Sequence, residues 1–262
     1  MERPMKYTVV IPVYQAAETL SAVITAWRAV TDAPILVIDD GSSDGSAEIA
    51  RREGVKVVGH SENQGRGAAR DCAMRETDTP LVLMCDSAQI PAEGFLQRAL
   101  AHFADSHIAA VFANITQPAP RSFVDRWRGR HLFKLGAASF NRRALLSTSL
   151  CVLRREAVGQ VGGFDPKFRA GEDADLGHRL LNAGWDVVAD PALQVLCIQW
   201  DAAHAVLARY ARWNSPHGVR GRAWLRQLAY AVKVMAMEDL RARDPLCALL
   251  SLVAPFYQLR RR

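Results

Sequence analysis

The chain has 262 residues, half of them hydrophobic and 23% charged, with five cysteines and a net charge of +6. This composition excludes disorder, collagen and coiled coil, and predicts one large or two small globular domains. Cys72, Cys85, Cys151, Cys197 and Cys247 are widely spaced, odd in number and lack a CxxC pair, which excludes a disulfide scaffold and a structural zinc site and suits a reducing cytoplasm.

The start, MERPMKYTVVIPVY, carries no apolar signal region. Residues 7–13 read as a buried strand, and 17–30 as a helix with Leu20, Val23, Ile24, Trp27 and Val30 on one face. A second buried strand follows at 34–39, a short helix at 43–53 stopped by Gly54, and a third strand at 55–59. A helix at 65–76, a strand at 80–85, a helix at 91–104 and a strand at 108–113 continue the alternation. Strands alternating with helices predict an α/β fold with a mostly parallel sheet.

From 114 to 150 the rhythm is lost. A strand at 151–154, a helix at 155–161, a glycine turn and a helix from Glu172 follow, then two short strands at 187–189 and 194–198. From 201 onward the pattern is helical. No apolar run reaches the 18 residues of a membrane span. Residues 201–262 carry 11 Lys and Arg against 4 Asp and Glu, and 121–155 carry nine against Asp125 alone. Such basic regions suit a solvated face, an anionic membrane or a phosphorylated ligand; no zinc-finger or RNA-recognition signature accompanies them, so nucleic acid is not expected.

In parallel sheets ligands sit beyond the carboxyl ends of the strands. There the chain places Pro12, Tyr14 and Glu18, then Asp39-Asp40-Gly41-Ser42-Ser43, then Asp86-Ser87-Ala88. Tyr14 can stack on a base, and Glu18 also suits the first turn of a helix. Turn formation and capping explain the serines but not two adjacent acids, either of which can accept from a base N–H or a ribose hydroxyl. Asn63 to Arg70 opens a helix with small residues that allow close backbone approach, at an N-terminus that suits a phosphate. Arg66 and Arg70 are candidates for donor contacts or plain surface arginines. Neither GxGxxG nor GxxxxGK[ST] occurs, which disfavours dinucleotide and P-loop folds. The seven histidines, His60, His102, His107, His131, His178, His204 and His217, form no constellation in the sequence.

In order, VVIPVYQAAETL, VIDDGSSDGS, ENQGRGAARD, LVLMCDSAQIP and VGGFDPKFRAGEDADLGHRL resemble the landmarks of the family 2 glycosyltransferases, over roughly residues 7–200. The resemblance implies a GT-A fold, a nucleotide-diphosphate sugar donor, UDP-linked by its landmarks, and inversion at the anomeric carbon. It implies a domain over 1–200, with a donor-binding half of about 1–113 and an acceptor and catalytic half of about 114–200, before a basic helical extension at 201–262. It assigns Pro12, Tyr14 and Glu18 to the nucleotide, Asp40 to the base, and Asp86 and Ser87 to the donor. It makes Asp173 the general base, with Glu172 orienting base or acceptor.

Two departures matter. Ala88 replaces the second acid of the Asp-x-Asp motif that holds Mg²⁺ or Mn²⁺, and VLCIQWD offers Cys197 or Gln199 where relatives carry a histidine. A divalent cation is therefore left short of ligands, with Asp86 the remaining candidate. RYARW at 209–213 partly resembles the Gln-x-x-Arg-Trp signature, making Arg212 and Trp213 acceptor candidates against the simpler reading of a helix with one buried Trp. The apolar stretch 246–259, flanked by Arg241, Arg243 and Arg260 to Arg262, suits either a helix packed on the domain or one lying on an anionic membrane surface. The acceptor is then a glycan or a lipid-linked sugar, and the location cytoplasmic, peripheral on the inner face of the membrane. The alternative is a catalytically silent relative that binds a nucleotide sugar or a partner protein.

Overall fold

The computed structural model describes residues 6–136, 139–215 and 218–259; His217 and Arg260 to Arg262 lie outside the described residues. In chain order the elements begin β1 (Tyr7–Val13), α1 (Leu20–Arg28), β2 (Ile35–Asp39), α2 (Ser46–Arg52), β3 (Lys56–Gly59) and α3 (Arg66–Arg75). They continue with β4 (Leu81–Cys85), β5 (Gln89–Pro91), α4 (Phe95–Ala101), β6 (Ile108–Thr116) and α5 (Phe123–Trp127). After a π-helical stretch at Arg128–Leu132 come β7 (Leu150–Arg154), α6 (Arg155–Gln160), α7 (Glu172–Asn182), β8 (Asp186–Cys197) and α8 (Ala203–Asn214). The chain closes with α9 (Gly221–Tyr230), a second π-helical stretch at Ala231–Ala236, α10 (Met237–Arg241) and α11 (Pro245–Tyr257).

Two compact units divide the chain: Met1–Ile115 with Ala138–Gln199, and Thr116–Ala137 with Trp200–Arg262. Residues 116–137, read from the sequence as part of the acceptor half, thus belong with the tail.

The first unit is built on an eight-stranded sheet of order β3-β2-β1-β4-β7-β6-β8-β5. β3, β2, β1 and β4 are parallel, as the sequence predicts. Beyond β4 the sheet changes sense: β7 is antiparallel to both β4 and β6, and β5 to β8. The parallel strands are apolar on both faces because helices cover both. Val9, Ile11, Val37 and Leu83 face α1, with Leu20, Ile24 and Trp27, while Val10, Ile38 and Met84 face α3 and α7, with Ala69, Ala73, Leu176 and Leu180. The two short strands expected near 187 and 194 are one twelve-residue strand, β8, which carries Pro191 through it; β5 pairs only with Val195 to Cys197, so the missing proline N–H breaks no bond of that ladder.

The second unit has its own core, in which Trp127 packs with Val206, Leu207, Tyr210, Met235 and Cys247. At its centre Asp239 is fully buried and accepts from Arg130, from His131 Nε2 at 2.8 Å and from Ser251 Oγ at 2.6 Å.

Candidate active site

The site lies in the first unit, where α3 and α7 begin beside the exits of β2 and β4. α7 starts at Gly171, whose φ of +84° turns the chain so that Glu172, Asp173 and Asp175 fill the first helical turn. The three acids have different fates. Glu172 is fully buried and its Oε1 bonds the Arg70 guanidinium, with Arg66 Nε at 3.7 Å. Asp175 is bonded by Arg179 Nε at 3.0 Å and Nη2 at 2.5 Å. Among the described residues, the half-buried Asp173 accepts only from the Ala174 N–H, at 2.9 Å, and it alone of the three takes no hydrogen bond from an arginine.

Arg70, offered by the sequence as a donor contact, is 2% exposed. It joins Glu172 to Asp86, whose Oδ1 accepts from its Nη2 at 3.0 Å. Burial alone would depress the guanidinium, but Asp86, Glu172 and Asp173 more than offset this and raise it, so Arg70 is held as a cation. Burial likewise raises the Asp86 carboxyl, against the lowering by Arg70 and Arg66. Arg70 Nε and Glu172 Oε2 remain buried without a hydrogen bond. Arg70 is therefore a positioning residue that ties α3, α7 and the end of β4 together, while Arg66, with 43% of its side chain exposed, stays accessible. Glu172 has no surface to offer an acceptor, so any orienting action it has runs through Arg70.

Asp40, expected to read the base, is spent on the chain itself. Its carboxylate accepts from His60 Nδ1 at 2.8 Å, Gln64 N at 2.9 Å, Gly65 N at 2.8 Å and Asn63 Nδ2 at 3.0 Å. It holds the 60–65 loop and caps the approach to α3. The α3 N-terminus, expected to face a phosphate, is likewise engaged: the Gly67 N–H donates to Phe168 O at 2.9 Å. The small residue serves that contact, since a Cβ on Gly67 would lie 2.4 Å from Asp165 O. Asp39, the last residue of β2, accepts among the described residues only two long contacts, of 3.3 and 3.4 Å, from the Ser42 N–H, so it retains lone pairs for a ligand. Sequence reasoning also missed Asn63 and Arg169: Arg169 Nη2 donates to Asn63 Oδ1 at 2.5 Å, beside Gly65.

At the β1 exit Pro12 is half-buried and Tyr14 and Glu18 are exposed, leaving the tyrosine ring free to stack. Thr19 Oγ1 donates to Ser87 O at 2.7 Å, pinning the start of α1 to the segment after β4. Arg212 and Trp213 are on α8 in the second unit, where Trp213 lies tilted against Phe133 with ring centres 6.4 Å apart. His60, as a clamp on Asp40, and His102, bonded to Asp190 at 2.9 Å, have structural partners.

The residues present do not fit a protein-built divalent metal site. A hard cation needs several oxygen ligands, but Asp86 is committed to Arg70, position 88 is alanine and Cys197 is buried within β8. Among the described residues no cluster of three or more His, Cys, Asp or Glu could hold a metal. Burial pushes the Cys151 thiol up to about 12 and raises that of Cys85 as well, which keeps both protonated.

The chain is similar to the pre-mycofactocin glycosyltransferase of Mycobacterium tuberculosis, 30% identical over 187 residues, which is 68% of this chain and 39% of that protein's length. The chain thus spans well under half of that relative. Among solved structures it resembles the mannosyltransferase PcManGT of Pyrobaculum calidifontis in complex with GDP-Man and Mn²⁺, with a TM-score of 0.63 and 18% identity over 96% of this chain and 74% of that one. It also resembles residues 1–349 of S. aureus TarS in complex with UDP-GlcNAc, with a TM-score of 0.59 and 14% identity over 98% of this chain and 93% of that one. These likenesses establish the expected GT-A fold. The strand ends that gather Tyr14, Asp39 and Asp86 fall inside the span, residues 8–162, that matches glycosyl transferase family 2, and it is to this family that the chain belongs.

Proposed function

We propose that the chain transfers a sugar, with inversion, from a nucleotide-diphosphate donor to an acceptor hydroxyl, working in the cytoplasm. The observation that carries this is the acid left over: Asp173 is unpaired and half-buried beside a locked Glu172–Arg70–Asp86 chain. Asp173 takes the proton from the acceptor hydroxyl as its oxygen bonds to the anomeric carbon and the bond to the diphosphate breaks on the opposite face. A single displacement of this kind inverts the carbon. Arg66 is the accessible cation near the leaving diphosphate. Tyr14 stacks on the base, Asp39 accepts its N–H, and Pro12, Glu18 and Ser87 line the nucleotide. A UDP-sugar is the donor favoured by the landmarks, and the TarS neighbour holds UDP-GlcNAc; a glycan or lipid-linked sugar is the acceptor. Calorimetry tests the base contact. Asp39→Ala is expected to weaken UDP binding by about 1.5–3 kcal/mol, the scale of a hydrogen bond to a charged group, and unchanged affinity in a folded variant removes Asp39 from the site.

The incomplete metal ligands favour a second reading, a relative that binds the nucleotide sugar without transferring it. A panel of nucleotide sugars, assayed with and without EDTA, separates the two. Transfer that largely survives EDTA is the expected result, because Arg66 rather than a protein-held cation meets the diphosphate. Complete loss, restored by Mn²⁺, overturns that assignment, and UDP binding with no transfer from any donor establishes the silent reading.

A further inference from the structure

We propose that the second unit docks on an anionic lipid bilayer through the outer face of α11 and its neighbours. Most exposed large hydrophobic residues of the described chain fall between Leu225 and Leu259. On α11 the usual arrangement of a surface helix is reversed. Every exposed position is apolar, led by Leu246, Leu249, Leu252, Val253 and Phe256. Their spacing of three and four residues places them along one helical stripe. The inner face is small or polar: Cys247, Ala248, Ala254 and Ser251, whose hydroxyl bonds the buried Asp239 at 2.6 Å and accepts from Trp127 Nε1 at 2.8 Å. That network fixes the rotation of α11, so the leucines cannot turn inward without breaking it. Trp224 of α9 packs edge-on against Phe256 with ring centres 5.5 Å apart, and Leu225, beside it in sequence, is 56% exposed.

The occupant is argued from charge. Arg126 and Arg130 are tied to Asp244 and Asp239, whereas the exposed Arg222, Arg226, Lys233 and Arg241 make no ion pair with a described residue. Of the acids among them in sequence, Asp239 and Asp244 are buried and Glu238 is exposed. A second copy is disfavoured, since a two-fold contact sets the same patch against itself and opposes these cations to one another. An anionic bilayer satisfies both the apolar stripe and the cations. With 13 residues, α11 is about 20 Å long by its rise per residue, short of the roughly 30 Å hydrocarbon layer, and so lies on the surface rather than across it.

The test is vesicle flotation of the full chain, comparing phosphatidylcholine with phosphatidylcholine–phosphatidylglycerol mixtures. Binding is expected only to the anionic vesicles and weakens as salt rises, because exposed charges are screened over roughly 8–10 Å at moderate ionic strength. Removing Arg222 or Lys233 as alanine costs about fivefold each. Leu246→Glu with Leu249→Glu abolishes flotation while leaving the far-UV melting curve in place, since both side chains are exposed and Leu246 lies in the first helical turn, where an acid is favoured. The proposal does not depend on transfer activity and is read without it. Wild-type protein that ignores anionic vesicles overturns it, as does equal binding to neutral ones. So does a lipid-free dimer, seen by light scattering, that the same glutamate pair dissociates.

Discussion

Asp173→Asn is expected to lower sugar transfer by about 10²–10⁴-fold, the usual worth of a positioned general base, while donor affinity stays nearly unchanged. The amide keeps the size of the side chain and its acceptor oxygen, so the 2.9 Å bond from the Ala174 N–H survives; only basicity is removed. Because the base acts on the acceptor, the loss falls on turnover with bound donor rather than on donor binding. Steady-state transfer together with UDP calorimetry reads both. Wild-type turnover in Asp173→Asn sinks the assignment. It cannot be rescued by passing the role to a neighbour, since Glu172 is fully buried on Arg70 and Asp175 is held by Arg179.

The second large effect is on stability. Arg70→Met removes the cation between two carboxylates and leaves Glu172 buried with only the longer Arg66 contact, at 3.7 Å, and breaking a buried pair in this way typically costs roughly 3–5 kcal/mol. At about 2–4 °C per kcal/mol for a domain of this size, thermal melting is expected to fall by about 6–20 °C. Replacing both partners, Arg70→Met with Glu172→Leu, leaves no charge stranded in the interior and recovers most of that loss. Asp86 loses the same partner but keeps the attraction of Arg66, and with 38% of its side chain exposed it is less buried than Glu172. A double variant as unstable as the single one shows that the cost arises from something other than the Glu172 charge. Restored melting without restored transfer identifies the Glu172–Arg70–Asp86 chain as an organiser of the site.

Both expectations depend on contacts that no short stretch of sequence shows, whereas much of the scaffold is local. The runs VVIPV and LVLMC are apolar at consecutive positions, which suits only strands covered on both faces, and the helical stripe Leu20, Val23, Ile24 and Trp27 is buried as its spacing predicts. The strand-end acids, the glycine-bearing turn before Glu172 and the family's ordered landmarks are also legible along the chain, because turns and helix starts are local chemistry. What only the tertiary structure decided is how the charged groups are spent. Asp39 and Asp40 are neighbours in sequence, yet the 60–65 loop, brought alongside by α3, uses up the lone pairs of Asp40 and leaves those of Asp39. Three acids open α7, and arginines arriving from α3 and from the next turn of α7 neutralise two of them. The tail is apolar and basic by composition alone, but its orientation is set by Ser251 reaching a buried Asp239, twelve residues away in sequence, which turns the leucines of α11 outward. Periodicity is a property of neighbouring residues and survives in the sequence. Hydrogen-bond capacity is shared among residues as far apart as Arg70 and Glu172, and its allocation is settled only when the chain has closed on itself.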